Sequence, residues 1–313
     1  MIRPFIKWAG GKTRVLPDLL PLLPKGDVLI EPFVGGASVF LNTNYDRYVL
    51  ADINPDLINL YIVATWESDA LISIARELFQ SGNSHNAFLE NREYFNYLQS
   101  VGNADSLSIN NESVQMAALF LYLNRHCFNG LCRYNRRGEF NVPYGMYHAP
   151  YFPENEIKLF SRKARNHEAI FIVADFSEVL VEATINERSV IYCDPPYLPV
   201  SDTANFTQYH TAPFSINHHI TLATALADAN RIHGAQCVIS NSDTPATREI
   251  YQGFEFHEIA VQRSISANAI TRGAAKEVIG VLTANCQESL PLRNSSTLRG
   301  LSTGYKGDLR GVQ

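Results

Sequence analysis

Val28-Leu29-Ile30-Glu31-Pro32-Phe33-Val34-Gly35-Gly36-Ala37-Ser38 decides the fold class. Val28 to Phe33 is a short apolar run of strand length. It runs into a glycine turn, and Gly35-Gly36-Ala37-Ser38 opens a short helix. Tyr48-Val49-Leu50-Ala51-Asp52 follows as a second strand ending on an acid. Asn54 then stands as the N-cap of a helix carrying Leu57, Ile58, Leu60 and Tyr61. A strand, a glycine turn, a helix and a strand in this order imply an α/β fold. Its sheet is doubly wound and mostly parallel.

The same alternation returns further along. Ala169 to Ala174, Ser189 to Cys193 and Gln236 to Ser240 read as buried strands, separated by helices over Phe176–Ala183 and Ser215–Ile232. Between the two α/β stretches the pattern changes. Residues 67–127 are mostly helical: Ala70-Leu71, Ile74-Ala75 and Leu78-Phe79 keep a 3.6-residue period, as do Met116-Ala117, Leu119-Phe120 and Leu123. Ser100 to Glu112 is polar and reads as a loop between them. Arg133 to Tyr147 is rich in Arg, Gly, Asn and Tyr with alternating side chains, and reads as a hairpin or ordered loop. The expected organisation is therefore a discontinuous catalytic domain, 1–66 and 160–286, interrupted by a helical and hairpin insertion at 67–159. Residues 287–313 lack periodicity and read as a disordered tail.

Composition narrows the function classes. The 313 residues are 46% hydrophobic, enough for a sizeable core, and no apolar run approaches the length of a membrane span. The N-terminus has no long apolar segment of the secretory kind, so a cytoplasmic location is expected. Cys127, Cys132, Cys193, Cys237 and Cys286 contain no C-x-x-C pair, and no His has metal-ligand spacing with an acid or Cys. Reduced thiols and no metal are the reading. The net charge of −5 argues mildly against a nucleic-acid partner, so the distribution of charge has to carry that question.

Open α/β sheets bind ligands at the carboxyl ends of their strands. Phe33-Val34-Gly35-Gly36 lies at such an end, and Asp52 at the next one, where an acid grips the ribose of adenosine-containing cofactors. The plain alternative is a tight turn with a helix-capping Asp. The loop is not G-x-G-x-x-G. Gly10-Gly11-Lys12-Thr13 lacks the leading glycine and preceding strand of a phosphate-binding loop. Dehydrogenase and kinase readings weaken accordingly.

The most specific signal is Asp194-Pro195-Pro196-Tyr197, closing the strand Ser189 to Cys193. The prolines fix φ and remove two N–H donors, leaving the Asp194 carboxylate and the carbonyls of Asp194 and Pro195 as acceptors beside the Tyr197 ring. Such an array suits a planar base with an exocyclic amine. Accepting both N–H protons would localise a lone pair otherwise delocalised into the ring, and an in-line methyl could then be transferred by positioning and electrostatics. The plain alternative is a strand ending in an ordinary turn. A second signal is the segment Asn124 to Tyr147, with Arg125, His126, Arg133, Arg136 and Arg137 against Glu139 and with Phe128, Tyr134, Phe140, Tyr144 and Tyr147 interleaved. Arginines would meet phosphates and base edges, and rings would fill the space of an extruded base. A smaller cluster, Arg263, Arg272 and Lys276, could grip phosphates, and Asn205 to Thr211 could close over the base as a lid.

Together these motifs resemble the Dam-type family of DNA adenine-N6 methyltransferases over roughly residues 4–284. The match is carried by Phe5 to Lys12, Glu31 to Gly35, Ala51 to Asn54, Leu121 to Arg125, Asn129 to Asn135, Arg137 to Pro143 and the Asp194 motif, in the family's order. The resemblance implies a Rossmann-like S-adenosylmethionine-dependent methyltransferase fold, S-adenosylmethionine as donor and GATC in double-stranded DNA as target. It implies that Trp8, Ala9, Gly10, Gly11 and Lys12 line the methionine side of the cofactor. Phe33 and Gly35 would pack against it, Asp52 would hold the ribose, and Asp175 and Phe176 would meet the adenine ring. Asp194, Pro195, Pro196 and Tyr197 would be catalytic. Lys7 would reach toward DNA, Arg133 would read a guanine, and Asn129, Leu131, Pro143 and Tyr147 would contribute to readout, with Arg137 and Phe128 on the DNA side. Ala37 stands where many relatives have Gly, and Phe128 where they often have Tyr. Two rivals remain: a methyltransferase of cytosine N4 or RNA adenine, which Asp194 disfavours because N4 enzymes usually carry Ser there, and a DNA-binding module without activity.

Overall fold

The computed structural model describes residues 1–101, 109–182, 184–198, 214–261 and 275–283. The lid segment 205–211, Arg263, Arg272, Cys286 and the tail 287–313 lie outside the described residues. After a short helical entry that includes α1 (Leu16–Leu19), the chain forms β1 (Val28–Glu31), α2 (Ser38–Asn42), β2 (Arg47–Asp52) and α3 (Pro55–Trp66). Three helices follow: α4 (Ser68–Ser81), α5 (His85–Val101) and α6 (Asn111–His126). The α/β pattern resumes with α7 (Glu154–Asn166), β3 (Ile170–Val173), α8 (Phe176–Glu182), β4 (Ser189–Cys193), α9 (Ile216–His233) and β5 (Gln236–Ser242). It ends with α10 (Pro245–Ile250), β6 (Glu255–Val261) and β7 (Ala275–Leu282).

The strands make one seven-stranded sheet in the order β3-β2-β1-β4-β5-β7-β6, parallel except for β7, which runs antiparallel between β5 and β6. The doubly wound, mostly parallel sheet expected from the sequence is therefore present. Strand order reverses between β1 and β4, which pair directly through Val28–Ser189, Leu29–Val190 and Ile30–Ile191. This is the topological switch point, where open α/β sheets leave a crevice at their carboxyl ends. The glycine turn after β1 and the acid after β4 both open into it.

Side chains alternate across the sheet, so each strand feeds two cores. Leu29, Leu50, Val190 and Tyr192 face the larger one, with Phe5, Phe40, Leu57, Tyr61 and Phe160. Ile30, Ala51, Ile191 and Cys193 face the other, with Phe176, Leu222, Leu226 and Tyr251 from the α8–α9–α10 side. Burial on both faces is why β1 and β4 read as continuous apolar runs. The helices α4 and α6 pack on α3 and α5 packs on α6, and Leu71, Phe88, Phe95 and Leu119 to Leu123 belong to the same apolar cluster as Leu29 and Tyr48.

Several boundaries differ from expectation. β1 stops at Glu31 rather than Phe33, because Pro32 has no N–H for the ladder. The loop between α5 and α6 is shorter than Ser100–Glu112: α5 runs to Val101, and Asn110 caps α6 in a reciprocal box with Ser113. The strands β6 and β7 and the helix α7 were not anticipated. β6 is a polar-spaced edge strand, and β7 carries Gly280, whose Cβ would come within 3.1 Å of Ile239 and Phe256. The segment 133–147 resembles a hairpin without a ladder. Tyr134 and Phe140 form one bridge, Asn141 N–H donates to Arg133 O at 3.1 Å, and Asn135 N–H to Glu139 O at 2.9 Å. We refer to it as the arm.

Candidate active site and recognition arm

The glycine turn is built for close approach. Gly35 has φ +45°, and a Cβ there would lie 2.9 Å from the Trp8 ring, so the indole rests on the turn. Gly35 N–H donates to Asp52 Oδ2 at 3.1 Å, and Asn54 N–H to Asp52 Oδ1 at 3.0 Å. The Tyr61 hydroxyl donates to the Gly35 carbonyl. Burial raises the Asp52 carboxyl to about 6, opposed by those N–H donors. Beside this turn Phe33 stacks on Phe176 with centroids 5.6 Å apart. Asp175 caps α8, its Oδ1 accepting from Ser177 N–H at 3.0 Å. Trp8, Phe33, Gly35, Asp52, Asp175 and Phe176 thus gather around the carboxyl ends of β1, β2 and β3.

The N-terminal glycines lead across to β4. Gly11 N–H closes a turn onto Trp8 O at 3.2 Å, while Gly10 has φ +75° and open space where a Cβ would be. That turn delivers Lys12 inward. Its Nζ lies 2.7 Å from Asp194 Oδ2, 2.9 Å from Gly10 O and 4.8 Å from the Tyr197 ring centroid. The structure thus sets the Lys12 ammonium on the Asp194 carboxylate. Burial raises the Asp194 carboxyl to about 6, and Lys12 pulls the other way. Asp194 Oδ1 is buried and has no partner among the described residues.

Neighbours that sequence reading missed hold the turn after Asp194. The Tyr197 hydroxyl donates to Glu277 on β7 at 3.0 Å. Leu198 N–H donates to Asn241 Oδ1 at 3.2 Å, and Ser242 Oγ donates to Leu198 O at 2.6 Å. The Pro196 carbonyl meets His219 Nε2 at 3.0 Å. None of these residues carries a motif. The topology brings them in, because β5 lies beside β4, β7 lies beside β5, and α9 starts above the turn.

The segment leading into the arm is joined to the N-terminus by Asn124 at the end of α6. Its Oδ1 accepts from Lys7 N–H at 2.9 Å, and its Nδ2 donates to Lys7 O at 2.7 Å and to Gly130 O at 3.2 Å. Lys7 Nζ then sits 4.2 Å from the Tyr147 ring, and Tyr147 Oη accepts from Asn129 N–H at 2.9 Å. Phe128 is 51% exposed, its N–H held by Pro143 O at 2.8 Å. Arg133 is exposed and braced by Asn141, through Nε to Oδ1 at 2.8 Å and Nη2 to the carbonyl at 3.1 Å. Arg136 and Arg137 are exposed at the arm's tip, and Leu131 is partly covered beside the arm's base. Lys7, Phe128, Asn129, Leu131, Pro143 and Tyr147 are linked through these contacts and through Leu131 N–H to the Phe128 carbonyl, while Arg133 stands apart with Asn141.

Other members of the basic, aromatic segment do not face outward. Arg125 and His126 are buried at the end of α6, where burial lowers the His126 imidazole to about 4 and keeps it neutral. A polar helix end packed under α4 has the same arginine-and-histidine composition as a DNA-facing one. Phe140 is buried, and the Tyr134 hydroxyl turns inward to donate to Asp56 at 2.5 Å. Among the described residues no three acidic, His or Cys side chains group as a metal site. Cys127, Cys132, Cys193 and Cys237 are free and buried. Among the described residues no single helix is long and apolar enough to cross a membrane.

The comparisons with known proteins agree with this geometry. Residues 8–265 match the family model of the D12 class N6 adenine-specific DNA methyltransferases. The chain belongs to that family. It is 46% identical to a DNA adenine methylase of Salmonella typhi over 282 residues, 89% of this chain and 95% of the relative. The same identity holds over 280 residues with a DNA adenine methylase of Escherichia coli K12. A Vibrio cholerae DNA adenine methylase is 42% identical over 282 residues, 90% of this chain and 96% of its own length. The D12 methyltransferase described here is thus an adenine-specific DNA methyltransferase of the Dam type, with DNA as its substrate.

Proposed function

We propose that the enzyme transfers a methyl group from S-adenosylmethionine to N6 of an adenine flipped out of double-stranded DNA, within GATC. One observation carries this reading: the buried, unpartnered Oδ1 of Asp194 at the end of β4, directly beside the glycine turn of β1. A buried acceptor without a donor is costly, which points to a partner that arrives with the substrate.

The residues around the switch point fit the cofactor. The Gly35 turn admits close backbone approach, Asp52 stands at the end of β2 to accept ribose hydroxyls, and the Phe33–Phe176 pair with Asp175 offers a face for adenine. Trp8, Ala9, Gly10 and Gly11 would line the remaining side. When bound, S-adenosylmethionine supplies an electrophilic sulfonium methyl. The chain's own residues do the rest. Asp194 Oδ1 accepts one N6 proton and the Pro195 carbonyl the other, which localises the nitrogen lone pair. Tyr197, fixed by Glu277, stacks on the base. Lys12 keeps Asp194 ionised despite its burial, so that it can take the proton released as N6 gains the methyl. Lys7, Asn129, Leu131, Arg133, Pro143 and Tyr147 read the site, Arg137 meets phosphate, and Phe128 occupies the gap left by the flipped base. The division into a catalytic domain, 1–66 with 160–286, and an inserted recognition domain, 67–159, belongs to the same proposal. So do a monomeric state and a cytoplasmic, nucleoid-associated location.

The test is incubation of folded protein with GATC duplex and labelled S-adenosylmethionine, followed by digestion with nucleases that differ in sensitivity to GATC methylation. Label confined to GATC adenine N6 is expected. Cofactor binding with no label in DNA would overturn the reading.

A further inference from the structure

We propose that His219 is a positioning residue for methyl transfer, which holds the Pro196 carbonyl away from the base and so leaves the Pro195 carbonyl as the one that faces it. This rests on the reading that the Pro195 carbonyl accepts an N6 proton. The two prolines strip the turn of its backbone donors at 195 and 196. The turn cannot fix itself through those positions; it is fixed through its acceptors. Two consecutive carbonyls, of Pro195 and Pro196, are available, and only one can be spared for substrate. His219 Nε2 lies 3.0 Å from the Pro196 carbonyl, whereas the Pro195 carbonyl has no partner among the described residues.

The contact is built, not incidental. A carbonyl oxygen only accepts, so Nε2 carries the hydrogen. Nδ1 therefore presents its lone pair, and the Tyr251 hydroxyl, 2.8 Å away, donates to it. Both ring nitrogens are used and the tautomer is set by its partners. The ring is fully buried and stands edge-on to Phe214, with centroids 4.8 Å apart at 87°. Phe214 in turn stands edge-on to Phe33 at 5.7 Å. The histidine also sits in the first turn of α9, whose start is fixed by a reciprocal cap between Ser215 and His218. The ring is thus wedged between the cofactor-side aromatics and the catalytic turn. Downstream, Leu198 is pinned at both its N–H and its carbonyl by β5. With Pro196 held by α9 and Leu198 by β5, the peptide plane leading into Tyr197 has little freedom.

The experiment is single-turnover methyl transfer by the full chain on a GATC duplex, with binding of duplex and of S-adenosylmethionine measured separately. H219L keeps apolar volume and removes the donor. H219Q places an amide N–H where Nε2 was. H219N reaches toward Tyr251 but not toward Pro196. The transfer rate of H219L is expected to fall about a hundredfold, the scale of a small misplacement of a reacting group, with both affinities close to wild type. H219Q is expected to recover most of that rate and H219N to remain slow, whatever the order of their melting temperatures. H219L transferring like wild type, or H219N outperforming H219Q, would overturn the assignment. Should H219L not fold, the H219Q against H219N comparison decides alone. Wild-type protein that labels no DNA would instead bring down the functional reading beneath it.

Discussion

The turn after β4 and the arm are both short loops held by distant stretches of chain, yet they present opposite faces: the turn is enclosed by the fold, and the arm leaves Arg133, Arg136 and Arg137 exposed. Asp194 to Leu198 is gripped from outside by Lys12, His219, Asn241, Ser242 and Glu277, which come from four distant stretches of chain. The arm braces Arg133 from within, through Asn141, but its inner side is held by α3, by α5 and by the turn before α5: Tyr134 by Asp56, Phe140 by Asn96 and Tyr144 by Asn83. Just before the arm, Asn124 ties Gly130 to Lys7. Chemistry needs atoms fixed within a fraction of an ångström, and buried elements supply that. Readout needs side chains in solvent that can meet a duplex.

The sharpest break of this comparison is D194A. It is expected to lower methyl transfer at least about a thousandfold, since it removes the group aimed at the developing charge. Binding of S-adenosylmethionine should survive, as measured by calorimetry. A mutation in the arm should behave differently. On the proposed reading of a guanine by Arg133, R133A is expected to cost about ten- to a hundredfold in preference for that base, the usual worth of a bidentate arginine, with the rate at saturating DNA largely kept; competition between cognate and substituted duplexes measures it. Similar losses of rate from R133A and D194A would erase the distinction drawn between the loops.

Two smaller effects follow the charges. Asp194 must be ionised to accept the N6 proton, so activity is expected to fall as pH drops through about 6. The Lys12 ammonium favours the carboxylate, so K12M should move that acid limb upward in a pH–rate profile. At the arm's tip, R137A is expected to weaken binding across all sequences and reduce the slope of log affinity against log salt by about one. Smallest is E31Q. Burial raises the Glu31 carboxyl from 4.5 to about 8. The folded chain then holds a proton that the unfolded chain has lost, so this contribution to stability is complete below 4.5 and drains away as pH rises toward 8. E31Q lacks the drain, and its melting temperature should gain on wild type across that interval.

The contrast also explains what was readable from sequence. The turn's own residues were legible because Asp-Pro-Pro-Tyr is a contiguous chemical statement, and the glycine turn with Asp52 was legible for the same reason. The switch point followed from strand and helix alternation. His219 and Glu277 were not legible, because they meet the turn only after α9 has packed on the sheet and β7 has taken its place beyond β5. The sequence showed His219 only as half of a histidine pair lacking metal-ligand spacing. The arm shows the reverse failure: its composition overstated the number of outward groups. Arg125, Phe140 and Tyr134 look like DNA-facing residues in one dimension, and the helix end and inward bridge that bury them are invisible there.

Ala37 closes the glycine turn at φ +57° with its methyl buried, a left-handed backbone on a residue with a side chain. Holding an L-residue there costs about 1–2 kcal/mol. Glycine would relieve that, but it would forgo about 0.8 kcal/mol of methyl burial and give up about 0.5–1 kcal/mol to the freer unfolded chain. The two choices come out nearly even. The position beside the cofactor crevice is therefore one at which lineages can drift between alanine and glycine without selection noticing, and a designer seeking a sturdier enzyme should look elsewhere.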